Sequence, residues 1–167
     1  MRIALHYTWL EYKMFTRNSS ALFFTGLFPV FFYVLWAALN RGGDVDFVVR
    51  WLTPSAICWT IMSNTIMNLG IQIPVLRDMK VLKRLKGTPM PSWAFLVARA
   101  LLILGLVSVQ SVLIFILAAV MLKPVDLPWF QVALVILVGT AVFATIGLAI
   151  ANLVPNGDAA PGIANAV

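Results

Sequence analysis

Charge is scarce in this chain: only 11% of its 167 residues are Asp, Glu, Lys or Arg. A soluble domain carries roughly 25%, because its surface must be solvated, so a water-soluble globule of this size is excluded. The sequence has one cysteine (Cys58), one histidine (His6) and one glutamate (Glu11), and its aspartates are scattered. A single cysteine cannot close an internal disulfide, and no group of His, Cys and acidic residues has the spacing of a metal site. The same scarcity argues against a membrane-embedded enzyme, which would need an acid, a base or a metal at the membrane face. No phosphate loop of the form G-x-x-x-x-G-K-[ST] is present, so the chain has no such device for binding ATP. No catalytic, metal or cofactor residue is therefore assigned. A cleavable leader is not apparent either, since the first apolar run begins late and ends without a small-x-small site.

What is abundant is apolar. Hydrophobic residues make up 62% of the chain and its mean hydropathy is +0.96. They fall in long blocks, for which lipid is the natural solvent. The expected fold is an all-α membrane protein: an N-terminal interfacial helix, four transmembrane helices and the start of a fifth, in one domain over 1–167. Residues 1–18 carry a basic edge (Arg2, His6, Lys13, Arg17) and many aromatics, which suits a helix lying at the headgroup boundary. Spans are expected at 20–39, 51–74, 93–122 and 129–154, each of about the 20 residues that cross ~30 Å of hydrocarbon, or longer. The Gly42-Gly43 turn and the joint at 123–128 separate them. The last residues, 163–167, open something apolar and stop, so the chain is read as part of a longer protein.

The formal charge of +6 does not point to nucleic acid, because the basic residues form no exposed stripe with aromatics for stacking. They sort by side of the membrane instead. One side holds Arg2, Lys13, Arg17, Arg77, Lys80, Lys83, Arg84 and Lys86, and the other holds Arg41, Arg50 and Lys123. That bias places the N-terminus and the 75–92 loop in the cytoplasm of a multi-pass protein of the cell membrane. Arg99, two turns into the third span, is expected to snorkel back to the same side.

Two patterns carry information about function. In the second span Thr60, Asn64, Asn68 and Gln72 recur every four residues and form one polar stripe. In hydrocarbon such groups need partners, so the stripe should face other helices or water, as packing contacts or as a substrate path. Ile66 is expected on the opposite, lipid-facing side. Gly139, Thr140, Ala144, Gly147 and Ala151 form a small-residue row for close packing in the fourth span. No acidic residue lies deep in a span, which argues against a proton-coupled carrier. The second pattern is the charged loop. Residues 77–89 read as a short helix closed by Gly87 and stopped by Thr88-Pro89. Arg77, Lys80, Lys83 and Arg84 lie on one face and Met79, Val81, Leu82 and Leu85 on the other. The basic face could anchor lipid phosphates or dock a soluble partner.

The loop LKRLKGTPMP at 82–91, placed after two spans, resembles the cytoplasmic loop of type-2 ABC transporter permeases, a family of drug, polysaccharide and lipid exporters. That family runs acidic-x-Gly-Thr-Leu-x-Arg-Leu-x-x-Thr-Pro here. Asp78, Leu82, Arg84, Leu85, Thr88 and Pro89 match, whereas Lys80 and Val81 replace Gly-Thr. The N-terminal helix is similar to the family's elbow helix, and residues 155–167 are similar to its approach to a fifth span. The resemblance implies a permease subunit with six spans when whole, paired with a second permease subunit as a homo- or heterodimer. It also implies a separate cytoplasmic ATP-binding subunit, which Arg77, Lys80, Lys83, Arg84 and Leu85 would contact. Motion of that segment would then move the second and third spans together. The competing readings are a non-catalytic membrane scaffold and a nonfunctional permease fragment.

Overall fold

The computed structural model describes residues 2–19, 22–40, 46, 48–86, 92–121 and 129–162, without the side chains of 2–6, 48, 84–86 and 92. Among these residues every regular element is helical. Helix α1 is Arg2–Arg17, α2 is Leu22–Leu39 and α3 runs unbroken over 48–78. A short helix α4, Val81–Lys86, follows, then α5, Ser92–Met121, and α6, Trp129–Leu153. The Gly42-Gly43 turn, the stop at Gly87, Thr88 and Pro89, the joint at 123–128 and the start of a fifth element at 163–167 lie outside the described residues.

Three of these helices are long and apolar enough to cross a bilayer: Leu22–Leu39, Trp93–Met121 and Trp129–Leu153. Helix α3 is not among them, although its length is ample. Thr53, Thr60, Ser63, Asn64, Thr65, Asn68 and Gln72 dilute its apolar content, and most of these side chains are buried against other helices. A helix shielded by protein can be more polar than one facing lipid, because its polar groups find partners inside.

The helices α2 and α3 are not uniformly α. Three π-helical segments interrupt them, Leu22–Leu27, Val48–Leu52 and Ile66–Ile71. Each precedes a proline by two or three residues: Pro29, Pro54 and Pro74. A proline lacks the N–H that would reach back one turn, so the carbonyl four residues earlier loses its α-helical donor. Widening the turn relieves the clash, and in a membrane the freed carbonyls must be satisfied by neighbouring groups. For Pro29 the carbonyl at stake is that of Thr25. The Gln110 side chain, from α5, donates to Thr25 O at 2.6 Å and to Gly26 O at 2.7 Å.

The core sits between α3, α5 and α6. Ile57, Ile61, Leu69, Ile103, Val107, Ile114 and Ile136 form it, with Tyr33 and Ala37 contributed by α2. Helix α6 meets α3 through its small residues. A Cβ at Gly139 would lie 3.3 Å from Ile61, and one at Gly147 would lie 3.1 Å from Leu69 Cβ and 3.4 Å from Thr65 O. Thr140 and Ala151 are buried in the same seam. Ile66 does not face lipid as expected. It packs beside the Ile150 and Val154 cluster, because α6 covers that side of α3. Met67 is the more exposed of the two. Gly147→Val is expected to lower stability by about 1–3 kcal/mol through overpacking, read as a lower melting temperature in detergent. An unchanged melting temperature would mean that the two backbones do not approach this closely.

The ends of the helices alternate. The end of α2 meets the start of α3 through the Tyr33–Thr53 hydroxyl pair at 3.1 Å, and Phe115 of α5 packs on Trp129 of α6 with ring centroids 6.0 Å apart. At the opposite end α1, the end of α3, the start of α5 and the end of α6 come together.

Candidate functional site

The polar stripe of α3 is buried where it was expected to be. Thr60, Asn64 and Asn68 are at most 1% exposed, and Gln72 is half-buried. Thr60 donates to Ala56 O (2.7 Å), Asn64 to Thr60 O (2.8 Å), and Asn68 to Asn64 O (2.8 Å). These bonds run along the helix itself. Asn64 also bonds across helices, its amide donating to Gln110 Oε1 at 2.7 Å. Gln110 therefore binds α2 with its amide and α3 with its carbonyl, and it is 2% exposed. Sequence reasoning missed it. Two signals point to it: a lone amide deep in an apolar span, and a mid-span proline whose orphaned carbonyl needs a donor.

Arg99 is also placed otherwise than expected. It does not reach out to the membrane surface but is 5% exposed, beside the 4% exposed Glu11 of α1. Arg99 Nε stands 3.2 Å from Glu11 Oε2, an ion pair without an aligned hydrogen bond. Its Nη1 donates to Gln72 Oε1 at 2.7 Å, and its guanidinium carbon lies 5.6 Å from the Phe95 ring centre. Burial outweighs this pairing for the acid. The Glu11 carboxyl is raised above its ordinary value because desolvation penalises the charge more than Arg99 and a hydrogen bond from Tyr7 favour it. A polar cavity of about 120 Å³ adjoins the pair, lined by Asn18, Asn68 and Gln72 among others. An apolar cavity of about 550 Å³ opens between α1, the start of α2 and α5. The ion pair thus carries more of the attachment of α1 than it would in a closed seam.

The loop segment is two helical pieces, not one. Helix α3 continues through Asp78 and ends at Met79, and Lys80 has φ +57°, the left-handed region where a side chain is strained. Helix α4 then starts at Val81. Lys80 and Lys83 are exposed, while Val81 and Leu82 are half-buried, so the piece has a basic side and an apolar side. The side chains of Arg84 and Leu85 lie outside the described residues. Arg77 is set apart from the other basic residues. Its guanidinium donates to the carbonyls of Val154, Pro155 (3.3 Å) and Ala151 (3.5 Å) at the end of α6. Asp78 accepts from the Gly157 amide.

The described residues contain no group of three or more His, Cys, Asp or Glu that could hold a metal ion. No curated protein and no solved structure matches the chain. The family of ABC-2 type transporters matches residues 4–167, nearly the entire sequence. With its long apolar helices and its loop of the family's pattern, the chain belongs to the ABC-2 type transporter family.

Proposed function

We propose that this chain is a membrane-spanning permease subunit of an ATP-driven exporter that moves a drug, lipid or polysaccharide-like substrate out of the cell. ATP would be bound and hydrolysed by a separate cytoplasmic subunit, and a second permease subunit would complete the path. The observation that carries this reading is the family match over 4–167, with no phosphate loop anywhere in the sequence. An ABC-type machine without its own nucleotide site needs a partner that has one. The basic bias of one side supports a cytoplasmic N-terminus, and helix α3 then serves as the second of four spans.

The docking surface is assigned to 80–86: Lys80 and Lys83 are exposed, and the helical period of the sequence groups Arg84 with them and Leu85 with Val81 and Leu82. Arg77 is removed from that set, because its donors are committed to α6. Arg84 is the strongest single contact, since a guanidinium can grip a carboxylate with two parallel bonds. The stripe of Thr60, Asn64, Asn68 and Gln72 is best read as packing, because Thr60, Asn64 and Asn68 are at most 1% exposed and Asn64 and Gln72 bond to Gln110 and Arg99 of α5.

Arg84→Glu is expected to release the ATP-binding subunit in a pull-down from membranes at normal insertion, because the loop stays net positive. Leu85→Asp should do the same by unseating α4. Retention of the partner by both variants would reduce this loop to an anchor for lipid phosphates.

A further inference from the structure

The end of α3 and the end of α6 are joined more tightly than two neighbouring helix termini need be. The last carbonyls of an α-helix have no partner within it, and they carry the negative end of its dipole. Arg77 fills that vacancy for α6, reaching the carbonyls of Ala151, Val154 and Pro155 with a cation. The next residue, Asp78, takes the Gly157 amide beyond the helix end. Between these two contacts the chains touch backbone to backbone, for a Cβ at Gly157 would lie 3.1 Å from Val75 Cα. Two residues after Asp78 comes the strained Lys80, and α4 makes its main contacts with the end of α3.

We infer that Arg77 and Asp78 form a two-point clamp that makes the ends of α3 and α6 one body, so that a push on α4 is delivered to α6. The transmission half of this inference rests on the proposed docking of an ATP-binding subunit on α4; the clamp itself does not. Arg77 and Asp78 are then positioning residues. Arg77 supplies charge-assisted bonds to several carbonyls at once, and Asp78 fixes the direction of the chain leaving α6. The joint at Lys80 lets α4 tilt against the clamped pair, because the helical hydrogen-bond ladder is interrupted there.

Spin-label distances in the full chain, in nanodiscs and with Cys58→Ser, test both halves. Labels at Met79 and Leu153 report across the clamp, and labels at Trp93 and Leu153 report α6 against the start of α5. The parent should give one narrow Met79–Leu153 distance. Arg77→Met and Asp78→Ala should each broaden it, and Arg77→Lys should recover part of the narrowing. A broad parent distribution, or one that neither variant alters, overturns the clamp. With the ATP-binding subunit bound, a non-hydrolysable ATP analogue should shift Trp93–Leu153 in the parent and lose that shift in the Arg77→Met, Asp78→Ala double variant. A bound subunit that leaves Leu153 unmoved, or a shift that survives the double variant, overturns the transmission. Failure of any ATP-binding subunit to bind the parent sinks the proposed function instead, and the clamp is then decided by the first measurement.

Discussion

Arg99→Met should be among the most damaging single substitutions in the protein, with a loss of about 3–5 kcal/mol at neutral pH. The reason lies in what it leaves behind. Glu11 is 4% exposed, and without Arg99 its carboxylate is a buried charge that keeps the Tyr7 hydroxyl but no cation described beside it. The pH dependence has a definite sign. Because the Glu11 carboxyl in the folded protein is raised above its unfolded value, the folded state binds the proton better. Its contribution to stability is full below the ordinary carboxylate pKa and is lost as pH rises through the raised value. The Arg99→Met defect should therefore shrink on acidification, and adding Glu11→Gln should recover most of it at neutral pH. Glu11→Gln alone should flatten the pH profile from the ordinary carboxylate range upward, because the group that titrates there is removed. Melting temperatures of the four variants in detergent, taken across that range, check this cycle. Simple addition of the two single effects would mean that Glu11 and Arg99 do not interact.

Gln110→Leu comes next in size. The substitution nearly preserves volume, but it strips donors from two backbone carbonyls of α2 and an acceptor from the Asn64 amide. A buried polar group left unpaired costs about 1–3 kcal/mol, while interhelical bonds in membranes average less than 1 kcal/mol because unfolded segments also find partners. For Thr25 the lower figure is not the relevant one. Pro29 removes the α-helical donor to its carbonyl within its own helix. The expected loss is about 2 kcal/mol or more, with α2 detaching first. The comparison that isolates the cause is Pro29→Ala, which returns the α-helical donor to Thr25. Gln110→Leu should cost less in that background. An equal cost in both would show that the Thr25 contact contributes nothing.

These two side chains also mark where the sequence is legible. Helices and their lengths follow from hydropathy and period alone, because lipid demands that each segment satisfy its own backbone. The burial of Thr60, Asn64 and Asn68 follows from the same demand, and so does the small-residue seam of Gly139 and Gly147. Contacts between distant segments are less accessible. Arg99 was read as a snorkelling residue because Glu11 lies far away in sequence, in a helix whose docking onto α5 no local pattern encodes. Arg77 was read with its basic neighbours, although it sits on the α3 side of the break at Lys80 and turns to α6. Ile66 turns to α6 and not to lipid because α6 packs on that side of α3, a contact with a distant segment that the period of α3 does not encode.

The account stands or falls on a nucleotide-binding partner that meets α4. A photo-activatable crosslinker at Lys83 in the intact membrane is the most direct measurement, with a second at Trp129, on the opposite end of the helices, as its control. The expected adduct from Lys83 is a soluble-side polypeptide whose sequence contains the G-x-x-x-x-G-K-[ST] phosphate loop, with no such adduct from Trp129. Adducts from Lys83 with lipid alone, or an ATP-binding polypeptide captured from Trp129, would contradict it.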